Sequence, residues 1–362
     1  MTADVDETFS SHVSFVTDAT SLSDGSLRNA LKGIDPAGGL IRHPPKPHEL
    51  DTELTKDSQL FLTIHMGAAV VDEDNWCLLV DGLVERAFTV SLTQLKSMPQ
   101  ATITSFHECY GSPIAPPVHA LWRIGNVRWT GVRLADLLRV AKPKAEVTHV
   151  WSRGLESGSF AGVSADHYEK DLIIEKAFSP EVLIAYEMNG EPLSKNRGGP
   201  VRLVVPGWFG TNSTKWICRL TLQDHRAVGP FTTKFYNEID PTDPIGQTTR
   251  PVWMVEPNSM IVRPRPNEVL PGPVIEIWGR AWGCEEITQV VISVDGGDTW
   301  LPAEATSVLP RHEFEWQLFR SKVLIQQPGK YRLVAKATDV TGVSQPLIGR
   351  RNHVHTVEIE IS

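Results

Sequence analysis

The sequence lacks paired cysteines, long basic runs and long apolar runs. Its four cysteines, Cys77, Cys109, Cys218 and Cys284, form no CxxC pair, which argues against a zinc cluster and a disulfide scaffold. No apolar stretch approaches the roughly 20 residues that a membrane-spanning helix needs. The formal net charge is −8, and this acidic balance argues against nucleic acid or an anionic membrane as the main partner.

Targeting and haem-attachment motifs are missing as well. Residues 1–7 are acidic and lack the basic-then-apolar order of a secretory signal, so we expect a cytoplasmic protein. A periplasmic location stays open for a chain from which a signal has been removed. There is no Cys-x-x-Cys-His motif, and we therefore expect no haem.

Proline and glycine, in contrast, are abundant, with 26 and 27 residues, which is typical of a loop-rich protein with much β-structure. The 362 residues suffice for two or three domains. Residues 1–55 are expected to form an extended arm, because the prolines of Leu40–His48 exclude regular structure there. Residues 56–245 alternate strand and helix patterns, and residues 246–362 are almost entirely strand-like.

Three local patterns place elements within residues 56–245. Ser91 is a helix N-cap followed by leucines three residues apart, which predicts a short helix over 91–98. Gly131–Val140 keeps most of its apolar residues on one helical face and predicts a second helix. Asn189 and Gly190 form the dipeptide that most strongly indicates a hairpin turn.

The C-terminal third has the pattern of an immunoglobulin-like β-sandwich. Short alternating strands separated by turns continue over roughly 110 residues. The Cys/Trp/Cys pattern of antibody domains is absent, so only the architecture is predicted. The expected fold class is α+β, with a mixed α/β domain followed by this sandwich.

Cys109 stands where a β-like run, Thr102–Glu108, meets a Gly-Ser-Pro turn. A thiol at the junction of strand and loop is held rigidly and can face a cavity, as a metal ligand or a nucleophile requires. A lone cysteine is nevertheless more often a small buried apolar side chain. Taken alone, the residue leaves both interpretations open.

Several segments in a fixed order change this balance. They are residues 107–113, 121–138, 186–193, 199–210, 214–216 and 294–300. Each is loose by itself, but their order and spacing resemble the sulfite oxidase family of molybdenum enzymes, including its sulfane dehydrogenase branch. The resemblance covers about residues 56–360. It implies that the α/β domain binds molybdopterin.

The resemblance also implies which residues hold the molybdenum cofactor. Cys109 would be the one protein ligand of the metal, and the dithiolene of the pterin would supply the other sulfurs. The phosphate and pterin of the cofactor need cationic and hydrogen-bonding side chains. The residues implied as cofactor-binding are His65, Asp136, Arg197, Arg202 and Lys215, and the active-site tyrosine implied is Tyr236.

Most of these residues also have an ordinary structural explanation. His65 could be a hydrogen-bonded loop histidine, and Asp136 and Lys215 could be solvated charges. Tyr236 could be an aromatic residue that packs the interdomain linker. Arg202 is more informative, because a guanidinium inside an apolar strand needs an anion or several acceptors.

The sequence departs from the family at three positions. Arg197 stands where sulfite oxidases have histidine, and Thr63 and Ile114 stand where they have arginines that bind the dianionic substrate. Each lost arginine removes a hydrogen bond to the charged substrate that is worth about 1.5–3 kcal/mol. Together the two losses should lower the affinity for a dianionic substrate by a factor of about 10²–10⁴. We therefore expect a sulfur compound as substrate, with sulfite itself disfavoured. Three other arginines could compensate: Arg123, Arg128 and Arg153.

The implied activity is oxygen-atom transfer to or from a small-molecule substrate, with electrons passed to an external acceptor. The C-terminal sandwich resembles the dimerisation domain of the family, so we expect a homodimer, with a monomer as the alternative. The alternative function is that of a non-catalytic relative serving as a binding or scaffold subunit. Retention of Cys109 argues against it, because a scaffold needs no metal ligand.

Overall fold

A computed structural model of the chain describes residues 11–16, 27–36, 39–112, 122–240 and 242–362. The first part of these residues contains strands β1 (Ser14–Phe15), β2 (Leu31–Asp35), β3 (Gly39–Arg42), β4 (Leu62–Ile64), β5 (Ala68–Val71), β6 (Cys77–Gly82), β7 (Phe88–Ser91), β8 (Ala101–Glu108), β9 (Ile124–Arg133), β10 (His149–Gly154), β11 (Gly158–Phe160), β12 (Val163–Ala165), β13 (Glu169–Ile173), β14 (Leu183–Met188), β15 (Glu191–Pro192), β16 (Arg202–Val204), β17 (Ile217–Gln223), β18 (Asn237–Ile239) and β19 (Thr249–Pro251). The second part contains β20 (Asn258–Arg263), β21 (Glu268–Leu270), β22 (Val274–Trp282), β23 (Ile287–Ser293), β24 (Thr306–Val308), β25 (Gln317–Leu324), β26 (Gly329–Asp339) and β27 (Thr356–Ile361). The α-helices among these residues are short: α1 (Leu92–Ser97), α2 (Leu134–Ala141), α3 (Ile174–Ala177) and α4 (Pro230–Thr233).

Two sheets organise the first domain. One has the strand order β1-β7-β6-β17-β10-β13, in which β17 and β6 are parallel. The other has the order β15-β14-β9-β8, and β16 also pairs with β14. Helix α2 packs against β6 and β9. The core of this domain includes Trp76, Leu78, Val80, Leu137, Leu138, Val201 and Trp216.

The second domain is the predicted β-sandwich. Its two sheets have the orders β20-β22-β25-β24 and β21-β27-β26-β23. In β27 the alternation of the sequence sends Val357, Ile359 and Ile361 inward, while the residues between them are exposed. The inward side chains of both sheets form one apolar core.

The second domain also covers the open edge of the first. Strand β8 is the last strand of its sheet, and its free edge would expose unpaired backbone groups. Residue Phe314 of the sandwich domain fills this edge: its carbonyl accepts a hydrogen bond from the Phe106 amide at 2.8 Å, and its amide donates to the Thr104 carbonyl at 3.2 Å. The strand that leads to Cys109 is therefore paired on both sides.

Two of the three local predictions are confirmed in full. Helix α1 is present, with the Ser91 hydroxyl accepting from the Gln94 amide and the Gln94 side chain accepting in return. The Asn189-Gly190 hairpin is present, and both residues have positive φ. The second helix starts only at Leu134, because Gly131–Arg133 continue β9 in its pairing with β14.

The expectation that residues 40–48 lack regular structure is wrong in part. Residues 39–42 form β3 and pair with β4, so regular structure extends to two residues before Pro44. The error has a simple cause: prolines at 44, 45 and 47 restrict their own positions and the residue before each, but not a strand that ends at Arg42. The boundary expected between residues 245 and 246 lies between β18 and β19, which pair with each other. None of the helices in the described ranges is sufficiently long and apolar to span a membrane.

One buried histidine makes the stability of the sandwich depend on pH. Burial of His355 lowers its pKa from 6.5 to about 4, so folding favours the neutral ring. The contribution of neutral His355 to the free energy of unfolding should therefore be fully present above pH 6.5. As the pH falls to 4, the free energy of unfolding should decrease by at most about 3 kcal/mol because of this residue. When the free energy of unfolding is measured with denaturant between pH 4 and 7, its slope against pH should be shallower for His355→Gln than for the unmodified protein. His312, which is exposed, gives the control substitution His312→Gln; equal slopes for His355→Gln and the unmodified protein would contradict the assignment.

Candidate active site

Cys109 follows directly on strand β8 and begins a tight turn. Its amide donates to the Arg123 carbonyl at 2.9 Å, and its carbonyl accepts from the Ser112 amide at 3.0 Å. The Ser112 hydroxyl accepts from the Arg123 amide at 2.8 Å, so the turn is fixed against the start of β9. Arg123 Nη1 lies 3.8 Å from Cys109 Sγ. The turn thus holds the thiol in one place with a guanidinium beside it.

The thiol faces a cavity with about 660 Å³ of empty space, part of which is open to solvent. The cavity is lined by Leu60, Phe61, Thr63, His65, His107, Cys109, Tyr110, Glu156, Tyr168, Arg197, Arg202, Gly210, Thr211, Ser213, Lys215 and Tyr236. The structure therefore brings together six of the seven residues proposed from the sequence: Cys109, Tyr236, His65, Arg197, Arg202 and Lys215.

Asp136 is the exception. It lies in the first turn of α2, and its carboxylate pairs with Arg139 one helical turn later at 2.5 Å. Among the described residues that line the cavity, Asp136 does not appear. The acidic group in the wall is instead Glu156, which is 3 % exposed and follows β10.

Three cations lie in the wall of the cavity. Arg202 is 2 % exposed, and its guanidinium donates to the carbonyls of Arg197 and Ser213 at 3.0 Å each. Burial lowers the pKa of Arg202 to about 9. Arg197 donates to the carboxylate of Asp57 at 2.5 Å and to the carbonyls of Leu60 and Phe61. A buried guanidinium held by carbonyls alone, as at Arg202, favours binding of an anion nearby.

The third cation, Lys215, is electrostatically coupled to Glu156. The Lys215 ammonium donates to the Thr63 carbonyl at 2.6 Å. Burial lowers the pKa of Lys215 and raises the pKa of Glu156, while the opposite charge of each partner works against these changes. Glu156 Oε2 also accepts the Met66 amide at 3.3 Å. Lys215 thus faces Glu156 and Arg197 faces Asp57, so the excess of positive charge in the cavity wall comes from Arg202, which donates to carbonyls.

His65 and Tyr236 form a pair at the other side of the cavity. His65 Nε2 and the Tyr236 hydroxyl are joined by a short hydrogen bond. The imidazole stacks on Tyr168 at 5.0 Å and meets the edge of Phe231 at 5.4 Å. Burial lowers the pKa of His65 to about 3 and raises the pKa of Tyr236, so both groups are neutral at ordinary pH. Tyr236 also has a φ of +60°, a strained conformation that is common at functional sites.

His107 is a functional candidate that the sequence interpretation missed. Its ring stacks on Phe61 with centroids 5.6 Å apart and meets the edge of Trp129 at 5.7 Å. Burial, with three nearby cations, lowers its pKa well below 6.5. A Cβ at Gly210 would lie 2.9 Å from the His107 ring, so only glycine allows this approach. The signal was present, since His107 lies two residues before Cys109, and side chains two apart in an extended segment point to the same side.

Two features of the wall bear on what the cavity holds. The Thr63 hydroxyl is buried and has no hydrogen-bond partner among the described residues, although Thr63 lines the cavity. Among those residues, no three His, Cys, Asp or Glu side chains group together as metal ligands. A metal bound at Cys109 must therefore bring most of its ligands with it. Ile114, the other substituted arginine position, lies outside the described residues.

Comparisons with known proteins match two segments of the chain to family models. A family model described as the oxidoreductase molybdopterin binding domain matches residues 65–231. A second model, described as the Mo-co oxidoreductase dimerisation domain, matches residues 249–358. The chain is similar to the sulfite oxidase of Gallus gallus, with 30% identity over 327 residues, covering 84% of this chain and 70% of that one. It is 30% identical over 340 residues to the mitochondrial sulfite oxidase of Homo sapiens, covering 88% and 62%.

The chain thus spans between three fifths and three quarters of the length of these two relatives. Among solved structures, the sulfane dehydrogenase SoxCD from Paracoccus pantotrophus has the same fold, with a TM-score of 0.74 and 24% identity. That likeness covers 95% of this chain and 92% of the other.

Proposed function

Because this chain belongs to the sulfite oxidase family of molybdopterin oxidoreductases, we propose that it oxidises or reduces a small sulfur compound at a molybdenum centre ligated by Cys109. The observation that carries the proposal is the position of the Cys109 thiol. It opens into a cavity whose wall holds three cations. The polar pterin and the phosphate of the cofactor need those charges.

The residues present fit the cofactor. The unpartnered Thr63 hydroxyl and the carbonyl-held guanidinium of Arg202 are buried polar groups that an additional ligand would satisfy. Arg202, Arg197 and Lys215 would hold the anionic end, and Glu156, His65 and His107 would contact the pterin. When bound, molybdopterin supplies oxygen-atom transfer as a two-electron reaction, with the electrons leaving to an external acceptor. The residues around it bind, orient and exclude water.

The groups near Cys109 suit a substrate with little charge. Arg123 is the cation beside the thiol, whereas Arg153 donates to Glu169 at 3.1 Å. Arg128 is exposed on β9. Thr63 contributes a neutral hydroxyl in place of a family arginine. Among the described residues, the guanidinium beside the thiol is that of Arg123, and the loss of two family arginines favours a neutral or singly charged sulfur compound over dianionic sulfite.

The Tyr236 hydroxyl has a defined role in this proposal. With its pKa raised and His65 neutral, the phenol stays protonated and can donate a hydrogen bond to a substrate oxygen. This role requires the neutral His65 tautomer with its proton on Nε2, which donates to the Tyr236 oxygen and leaves the phenol proton for the substrate. The two groups therefore orient substrate without carrying charge themselves.

A substrate panel tests the proposal. With a dye as electron acceptor, we expect turnover of neutral or singly charged sulfur compounds, such as S-oxides, and poor turnover of sulfite. Arg123→Met should raise KM for an anionic substrate about 10- to 100-fold, the loss expected for a hydrogen bond to charge, with a smaller effect on neutral ones. Arg128→Met, which removes an exposed arginine from β9, is the matched control. Sulfite turnover by the unmodified protein with a micromolar KM would contradict the substrate assignment.

We also propose a homodimer that passes its electrons to a separate acceptor. Residues 249–358, which match the dimerisation domain, include the sandwich from β20 through the first half of β27. Sedimentation at micromolar concentration should give twice the mass of the 40.1 kDa chain. A species of single mass would refute the dimer.

A further inference from the structure

Arg351 reaches from the sandwich domain onto the turn that carries Cys109. Its Nη1 donates to the Ser112 carbonyl at 3.2 Å and lies 3.5 Å from Glu108 Oε1. Its guanidinium also covers the ring of Tyr110, with 5.1 Å to the centroid. Arg351 thus touches every second residue of the segment 108–112, in which Cys109 begins its turn.

Glu108 strengthens this contact. Its side chain is 0 % exposed, and its Oε2 accepts a hydrogen bond from Trp282 Nε1 at 2.8 Å. Trp282 ends β22 of the sandwich domain. A buried carboxylate needs its partners, because loss of one leaves an uncompensated group in a dry environment. Both described side-chain partners of Glu108, Trp282 and Arg351, come from the second domain.

A second segment of the first domain packs against the Arg351 guanidinium. Phe209, which precedes the cavity residues Gly210 and Thr211, lies under the same guanidinium at 4.2 Å from the ring centroid. Tyr110 and Phe209 also contact each other edge to face at 5.4 Å. Arg351 is therefore packed between two segments of the cavity wall, and not only between the two domains.

We infer that Arg351 is a positioning residue of the active site, which fixes the 108–112 turn from the sandwich domain and thereby the direction of the Cys109 thiol. The effect of Arg351 on catalysis rests on the proposed function, because a fixed direction of the Cys109 thiol matters when that thiol binds the metal. A metal ligand keeps its geometry only when the residues that contact it are themselves held in fixed positions. The edge pairing of Phe314 fixes strand β8, and Arg351 fixes the turn after that strand.

Arg350 provides a matched control in the adjacent position. Its side chain is 51 % exposed, against 19 % for Arg351, and it lies 3.7 Å from Glu256. Substitution of either arginine by methionine removes one charge from the same loop. Only Arg351→Met removes contacts to the cysteine turn.

The first test uses the full chain produced without cofactor and measures alkylation of Cys109 by N-ethylmaleimide with peptide mass spectrometry. Arg351→Met should speed Cys109 alkylation about tenfold through local opening of the turn, while Cys77 and Cys284 react as before. Arg351→Lys should restore part of the protection, because it keeps a donor for the Ser112 carbonyl. Should Arg351→Met not fold, Trp282→Phe removes the hydrogen bond to Glu108 with little loss of volume and should act in the same direction.

The second test uses the holoenzyme. The electron paramagnetic resonance signal of its one-electron-reduced form should broaden in Arg351→Met and stay unchanged in Arg350→Met. Equal Cys109 alkylation in both variants, or equal acceleration at all cysteines, would overturn the inference, because either result assigns Arg351 to general stability. A protein without molybdenum would refute the proposed function but leave the alkylation result standing, so the two failures are distinguishable.

Discussion

Cys109→Ser should reduce turnover per bound pterin by about a thousandfold or more, the scale seen when one group is removed from a reaction centre that acts as a unit. The physical reason is the change from a soft thiolate to a hard hydroxyl at the position that we propose as the one protein ligand of the metal. The measurement is dye-coupled turnover, divided by the pterin released on denaturation. Division by pterin content separates loss of chemistry from loss of cofactor.

The matched control for this substitution is Cys77→Ser. Cys77 begins β6 and is partly buried, as Cys109 is, but it does not line the cavity. It should keep turnover close to that of the unmodified protein. If Cys109→Ser and Cys77→Ser had equal turnover per pterin, Cys109 would not be the metal ligand.

Arg202→Met should lower the affinity for the cofactor about 10- to 100-fold, which is the loss expected for one hydrogen bond to a charged group. The guanidinium is buried in the cavity wall, is held by carbonyls and stacks on Trp129 at 5.0 Å. Methionine keeps much of its volume and removes the charge. The measurement is the pterin content retained after extended dialysis, with thermal unfolding as a check that the variant is folded.

Arg280→Met is the corresponding control. Arg280 is also buried, and its guanidinium lies over Trp278 and Trp316, but these residues belong to the sandwich domain and do not line the cavity. Both variants remove one buried arginine that stacks on tryptophan. Equal retention of pterin in the two would contradict a role for Arg202 in cofactor binding.

The sequence predicted the residues of the cavity better than the path of the chain around them. Arg202 stood out because a guanidinium inside an apolar strand needs acceptors, and the structure supplies them from the carbonyls of Arg197 and Ser213. Lys215 could also have been an exposed strand charge, and His65 a hydrogen-bonded loop histidine. Their approach to Cys109 depends on pairing between strands far apart in the chain, which local patterns do not encode.

The acidic residue of the cavity illustrates the limit. Asp136 lies at helical spacing, and its helix turns the carboxylate toward Arg139, a partner at i+3 that the sequence alone makes available. Glu156 carries no helical pattern, because it follows the end of a strand, where functional side chains often lie. The contact of Arg351 with the cysteine turn joins positions 239 residues apart, and no pattern within either domain predicts it.

X-ray absorption at the molybdenum edge tests the central claim most directly, because it counts the sulfur atoms bound to the metal. For the unmodified protein, isolated from a host that makes the cofactor, we expect two sulfurs from the dithiolene and one from Cys109. In Cys109→Ser the count should fall by one. An equal sulfur count in both proteins, or no molybdenum in the unmodified one, would contradict the account.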